Sequence, residues 1–171
     1  YRLHHDANGA WPGATDKGLI DQARTLWFYA YLYDAGYGTE AHLRAAEHGF
    51  SFLRDALKDD VFGGYFWAVN ASGSVATRPH KHLYGQAFAL YALSEYARAS
   101  GEGEAIGLAE ELFYLLEEKA HDATYGGYIE WFRRDGEKDT KIENYIGIEP
   151  DGKLMYTHLY LLEAFTTYWE V

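Results

Sequence analysis

Arg24 is the first residue whose setting asks for an explanation. It lies in the run Gln22-Ala23-Arg24-Thr25-Leu26-Trp27, and a guanidinium on an otherwise apolar helix demands a charged or hydrogen-bonding partner. Glu130 and Glu163 also sit among apolar neighbours, so each requires a partner, and Glu163 could simply brace an adjoining helix. His4-His5-Asp6 and His80-Lys81-His82 have the composition of metal ligands but no third ligand at a fixed spacing. They read as solvated loop histidines, and no metal site is predicted. Asp59-Asp60, Glu110-Glu111 and Glu117-Glu118 fall at helix ends and polar faces, which reads as solvated charge rather than an acid pair for glycoside hydrolysis. Gly63-Gly64 and Gly126-Gly127 open hairpins rather than helices, so no phosphate loop is present. Asn70-Ala71-Ser72 fits a glycosylation sequon without a secretion signal to support it.

The scaffold that must hold these groups is one domain's worth of chain, 171 residues, 48% hydrophobic and 24% charged. That composition excludes a disordered or collagen-like chain. Aromatic residues are dense, with 16 Tyr, 9 Phe and 5 Trp, which suits both close helix packing and stacking on sugar faces. A net charge of −11 opposes a nucleic-acid partner. Cysteine is absent, so there is no disulfide framework or thiolate metal site. No apolar run is long enough for a membrane span, and the start at Tyr1 has no signal-peptide pattern. The expected location is cytoplasmic, with no membrane partner, and the true start of the chain could lie upstream.

Periodicity predicts five helices. Lys17 to Ala35 is apolar on nearly every side and should be buried all round, whereas Thr39 to Leu57 carries the stripe Leu43, Ala46, Phe50, Leu53, Leu57 opposite charged residues, with Thr39 as N-cap. The alternation recurs. Lys81 to Ala99 is dense in apolar residues, Glu104 to Lys119 sets Ile106, Ala109, Phe113 and Leu116 against glutamates, and Lys153 to Trp169 is again rich all round. After each outer helix comes a glycine pair with a short aromatic alternation, Gly63 to Trp67 and Gly126 to Trp131, then a turn at Ser72-Gly73 or Asp135-Gly136. Each unit therefore reads as inner helix, outer helix and β-hairpin.

The units superimpose. Lys17 and Gln22 match Lys81 and Gln86, then Lys153 and His158, always five apart, with a period of about 64 to 72 residues. Stacked helix pairs that keep turning close into a toroid, so the fold class is all-α, a segment of an α/α barrel with short β-hairpins between helix pairs. Five helices make only an arc. Its ends would present apolar surface, to be covered by missing segments or by another copy in a homo-oligomer.

The run Lys17-Gly18-Leu19-Ile20-Asp21-Gln22-Ala23-Arg24-Thr25-Leu26-Trp27-Phe28 resembles the N-acylglucosamine 2-epimerase family, which includes cellobiose 2-epimerases and related aldose–ketose and mannose isomerases. The resemblance continues through Gly63 to Trp67, Lys81 to Tyr91, Gly126 to Glu130 and Thr157 to Phe165, in order and with the family's spacing. It implies an (α/α)6 barrel, of which residues 1–171 would be a single partial domain, about half of the full barrel. It also implies a central cleft for a reducing mono- or disaccharide and chemistry at C2 without a cofactor. A base removes the proton alpha to the open-chain carbonyl, an enediolate forms, and an acid returns the proton.

Carried over by position, Arg24 matches the family's sugar-contacting arginine, although a pairing with a structural carboxylate stays open. Tyr84 matches a cleft-facing tyrosine, with core packing as the other reading. The family's Asn-Thr-His-Leu-His stands here as Tyr156-Thr157-His158-Leu159-Tyr160. Tyr156 and Tyr160 thus replace an asparagine and a site-lining histidine. Tyr160 could donate a phenolic hydrogen bond to the sugar but is a poor base at neutral pH. His158 is the weak catalytic candidate, its repeat position favouring a hydrogen-bonded structural role. The family's acid–base histidines belong to the second half of a longer chain, and nothing here matches them. The chain reads as an excerpt from the second helix to the sixth. Two alternatives remain: a non-catalytic saccharide-binding or scaffolding module, and an (α/α)6 glycoside hydrolase relative.

Overall fold

The computed structural model describes residues 1–2, 5–11, 13–139 and 152–171. His4, part of one histidine cluster considered above, lies outside the described residues. The helices are α1 (Leu19–Asp34), α2 (Glu40–Phe52), α3 (Leu83–Ser100), α4 (Gly103–Lys119) and α5 (Met155–Trp169). A wider π-helical turn, Leu53–Leu57, extends α2, so this outer helix runs as far as its apolar stripe predicts. Five short strands accompany them: β1 (Lys17–Gly18), β2 (Ala68–Val69), β3 (Ala76–Arg78), β4 (Lys81–His82) and β5 (Trp131–Phe132). Among the described residues no helix is long and apolar enough to cross a membrane.

Helices α1, α3 and α5 form an inner layer, and α2 and α4 back it from outside. The central helix α3 packs against α1, α4 and α5 and is buried on nearly every side. Burial all round was expected of α1 as well, but its outward face is bare: Phe28 is 48% and Tyr31 41% exposed. The same holds for α5, where Leu162 is 63% exposed. Both helices have an inner-layer neighbour on one side only, so their apolar character is spent on a face that nothing covers within the described residues. On α4 the buried stripe is Ala105, Leu108, Ala109, Leu112 and Leu116, and Ile106 lies outside it at 38% exposure.

The strands differ from the predicted hairpins in an instructive way. Ser72-Gly73 does sit in the turn between β2 and β3. The Gly-Gly-Tyr segments, however, are turns, and each tyrosine makes only an isolated bridge, Tyr65 to Lys58 and Tyr128 to His121. The regular pairing joins the start of a unit to its end. β1 pairs antiparallel with β2 in the register Lys17 to Val69, and β4 pairs antiparallel with β5 in the register Lys81 to Phe132. Leu19 N–H donates to the Trp67 carbonyl and Leu83 N–H to that of Glu130, both at 2.9 Å. The inner helices α1 and α3 are thereby each started by the hairpin segment that ends their own unit.

The repeated Lys and Gln or His positions explain the stacking. Lys81 Nζ reaches Asp59 Oδ2 at 3.2 Å and the Arg134 carbonyl at 2.6 Å, and Lys153 Nζ reaches Asp122 Oδ2 at 2.6 Å and the Gly126 carbonyl at 2.5 Å. Both aspartates begin the same turn. The Asp59 carbonyl accepts from Gly63 N–H and the Asp122 carbonyl from Gly126 N–H. Five residues on, Gln86 clasps Tyr65, accepting from its N–H at 2.9 Å and donating to its carbonyl at 2.8 Å. In the next unit His158 Nε2 accepts from Tyr128 N–H at 2.9 Å. Asp59 is thus not the solvated charge that its sequence setting implied. It is completely buried, and the Arg134 guanidinium binds it at 2.9 and 3.1 Å. Burial alone would raise its carboxyl, but Arg134, the Val61 N–H and Lys81 outweigh that and hold it at about 2.

At the other end of the inner layer, Arg98 near the end of α3 binds Asp34 of α1 at 3.2 Å, Glu95 at 2.7 Å and Glu170 after α5 at 2.9 Å. One guanidinium therefore gathers three helix C-termini.

Removing Asp59 leaves Lys81 buried without its counter-charge. Asp59→Ala is expected to lower unfolding free energy by about 3–5 kcal/mol, and Asp122→Ala, at the more open equivalent turn, to lower it much less, as measured by urea denaturation. Gly64 (φ +67) and Gly36 (φ +76) share left-handed backbone, but a Cβ at Gly64 would meet Gln86 Oε1 at 3.0 Å whereas one at Gly36 meets nothing. Both alanine variants should lose about 1–2 kcal/mol from backbone strain, and Gly64→Ala measurably more than Gly36→Ala in the same assay.

Candidate functional site

The repeat also determines which side chains face one another across the inner layer. Arg24, Phe88 and Tyr160 occupy equivalent positions two residues after Gln22, Gln86 and His158, and Trp27, Tyr91 and Glu163 lie three residues further on. All six line one cleft of about 280 Å³, with Phe28 completing it. Equivalent positions of three helices can converge on one cavity only if the units curve about it. The Arg24 side chain accordingly points to the hollow side of the arc.

Arg24 lacks the partner its sequence setting seemed to demand. It is exposed to the cleft, its guanidinium lies 5.4 Å from the centre of the Phe88 ring, and among the described residues it makes no ion pair. Water in the cleft removes the desolvation penalty that would have required one. Glu163 is corrected in the same sense, because it is exposed, lines the cleft and makes no hydrogen bond among the described residues. A cation and an anion thus stand free over an aromatic floor. Arg54, Arg98, Arg133 and Arg134 are by contrast all held in ion pairs.

Tyr84, Tyr156 and Tyr160 form one cluster at the start of α3 and α5. The Tyr84 ring stands edge-on to Tyr156 at 5.5 Å, to Tyr160 at 5.2 Å and to Phe88 at 5.0 Å. Burial, with the neighbouring Tyr160 phenol, pushes Tyr84 up to about 12, so it stays protonated at neutral pH. Tyr84 is half-buried and packs against Phe88 and Tyr160, Tyr156 is exposed, and of the three only Tyr160 lines the cleft.

His158 is engaged elsewhere. Its Nδ1 lies 2.7 Å from the Leu154 carbonyl, to which it donates once Nε2 accepts from Tyr128, so both nitrogens are committed to backbone. His82 is not a solvated loop residue but is fully buried. Its Nδ1 accepts from Tyr84 N–H at 3.1 Å, and its ring meets Trp131 edge-on at 3.8 Å. His80 is half-buried beside Trp67 and Trp131, and His5 is exposed. Glu130, for which sequence reasoning demanded a partner without naming one, receives the Leu154 N–H at 3.1 Å and the Thr157 hydroxyl at 3.2 Å. Glu117 accepts from the Tyr128 hydroxyl rather than lying wholly in solvent. Trp27, Phe28, Phe88 and Tyr91 escaped notice as site residues because each looked like core. The repeat offset from Arg24 was the signal that could have found them.

Such a cleft, aromatic below with a free guanidinium and carboxylate above, suits a ligand with C–H faces and many hydroxyls. Comparison with known proteins agrees with its setting. The sequence profile of the N-acylglucosamine 2-epimerase (GlcNAc 2-epimerase) family matches residues 2–166. A cellobiose 2-epimerase of Eubacterium cellulosolvens is 40% identical over 156 residues, covering 88% of this chain and 36% of the relative. One of Ruminococcus albus is 37% identical over 178 residues, covering 96% and 44%. The solved cellobiose 2-epimerase of Bacillus thermoamylovorans superposes with a TM-score of 0.91 at 32% identity, covering all of this chain and 44% of that one. The chain thus spans about two-fifths of the length of these relatives, and the arc is a segment of their (α/α)6 barrel. By sequence and by fold alike, the chain belongs to the N-acylglucosamine 2-epimerase family.

Proposed function

We propose that the cleft binds a reducing saccharide and that this chain forms the binding wall of a sugar 2-epimerase or aldose–ketose isomerase site. The observation that carries the reading is the convergence of Arg24, Phe88 and Tyr160 with Trp27, Tyr91 and Glu163 on one cavity. Aromatic faces take the C–H face of a pyranose, Glu163 accepts from its hydroxyls, and Arg24 donates to ring or carbonyl oxygens. As a permanent cation Arg24 would also steady the negative charge of an enediolate formed by C2 proton abstraction. The relatives named for cellobiose make a disaccharide of that kind the first substrate to try.

The proton transfers themselves are assigned to residues outside this chain. Both His158 nitrogens are held by backbone, His82 is buried beneath the tyrosines, and Tyr84 is a phenol that stays protonated near neutrality. A second reading, a non-catalytic saccharide-binding module, is favoured by one feature: Tyr160 occupies the place of the family's site-lining histidine and packs on Tyr84 instead. In either case the bare faces of α1 and α5 are where the arc would close, with the rest of a ring or with a second copy.

The test is to incubate the chain with cellobiose, mannose, glucose and N-acetylglucosamine in heavy water. Saccharide binding, followed through Trp27 fluorescence, is expected without deuterium entry at C2. Arg24→Ala should weaken binding by at least about tenfold, the scale of a lost charged hydrogen bond. Failure to bind any of the four sugars would refute the site, and C2 exchange by this chain alone would refute the assignment of the proton transfers elsewhere.

A further inference from the structure

Glu130 is 0% exposed, yet among the described residues no lysine or arginine pairs with it. Its Oε1 takes the N–H of Leu154 and its Oε2 the hydroxyl of Thr157, the residues that begin the first turn of α5. His82 Nε2 lies 3.7 Å from the same Oε2. Because His82 Nδ1 accepts from Tyr84 N–H, its proton resides on Nε2 and faces the carboxylate. Nε2 has no closer partner among the described residues. One carboxylate therefore touches the start of α5 directly and the start of α3 through the imidazole that caps it. Those two turns carry Tyr84 and Tyr156, with Tyr160 one turn beyond.

We propose that Glu130 is a positioning residue for the cleft: by seating the first turn of α5 against that of α3 it sets the Tyr84, Tyr156 and Tyr160 cluster, and hence saccharide affinity. The consequence for binding rests on the reading that the cleft takes a saccharide. As a carboxylate Glu130 accepts from Leu154 N–H and the Thr157 hydroxyl and draws the His82 N–H by charge at 3.7 Å. Protonation turns one acceptor site into an O–H that meets the His82 N–H or displaces a donor of α5, and the turn loosens.

The surroundings place this change in an accessible range. Burial pushes the Glu130 acid up to about 7, the α5 hydrogen bonds only partly opposing it, and pushes His82 down to about 3, with His80 adding to that shift. The titratable groups facing Glu130 are thus His82 with His80 behind it on the β4 side and Tyr156 from α5, whereas Lys81 and Lys153 are turned to Asp59 and Asp122. The signs for binding and folding are opposite. A carboxyl whose folded pKa is raised adds stability in its neutral form at low pH, and that contribution is lost as pH rises from about 4.5 through about 7. Saccharide affinity should rise over the same interval as the carboxylate forms.

The experiment titrates the chain with cellobiose between pH 5.5 and 8, reading Trp27 fluorescence, in parallel with thermal unfolding. Affinity of the unaltered chain is expected to rise about fivefold, and its melting temperature is compared with that of Glu130→Gln at each pH, because the stability that His82 and His80 gain as pH rises toward about 6.5 opposes the stability that Glu130 loses. Glu130→Gln should remove the dependence of affinity, and Thr157→Val, which keeps the carboxylate, should weaken binding less while retaining the pH profile. An unchanged profile in Glu130→Gln overturns the proposal. If the unaltered chain binds no sugar at any pH, the saccharide reading fails by itself. Positioning is then judged by the ring NMR signals of Tyr84, Tyr156 and Tyr160. They must move through pH 7 and with Glu130→Gln but not with Asp122→Ala, and signals that stay fixed overturn it.

Discussion

The reach of Lys81 back to Asp59 is the contact on which the curvature depends. Asp59 closes the turn after one outer helix, and Lys81 begins the next inner helix, so their 3.2 Å contact fixes the angle at which one unit follows another. Two charges taken this far out of water are tolerable only because Arg134, the Val61 N–H and the Arg134 carbonyl complete their hydrogen bonding. Lys153 and Asp122 repeat the contact one unit later. Direction, rather than raw stability, is what such a pair supplies, because an apolar pair of equal volume would hold the layers together without setting their register.

Once that angle is set, the site follows with little further instruction. A side chain pointing to the hollow in one inner helix has its equivalents pointing there in the others, so three copies of one position produced Arg24, Phe88 and Tyr160 on a single surface. Divergence of the repeats then supplied chemical variety, placing a cation, an arene and a phenol where an exact repeat would have placed one residue three times. The buried positions did not diverge to the same degree. Gln86 and His158 differ in kind but grip the equivalent N–H of their own units, that of Tyr65 and that of Tyr128.

What could be read from residues alone was whatever carries a period. Five helices, their inner and outer alternation and the Lys-to-Gln spacing all declare themselves through repetition, and the helices appear within two residues of their predicted ends. Contacts without a period did not. Two-residue strands leave no alternation to detect, so the pairing of β1 with β2 and β4 with β5 was invisible. Asp59 beside Asp60 looked like surface because an acidic pair usually is, and only the distant Arg134 makes it core. Arg24 and Glu163 were misjudged in the opposite direction. An apolar helix suggests dry surroundings, but the arc leaves these two facing water in a cleft.

The replacement of an asparagine and a histidine by Tyr156 and Tyr160 bears on how the two walls of a complete site would share the chemistry. Tyrosines on this side remain neutral across the physiological range, since burial raises Tyr84 to about 12 and Tyr156 is shifted in the same direction. Under the proposed function, phenols around one guanidinium and one carboxylate orient hydroxyls and steady an oxyanion, while the proton transfers fall to groups outside this wall. Epimerisation at C2 removes a proton from one face and returns one to the other, so under the proposed function those groups would have to reach both faces of the sugar past the rim of this wall. Holding the sugar and moving its proton are then separate tasks, and what the tyrosine wall contributes is the rigidity with which the sugar is held.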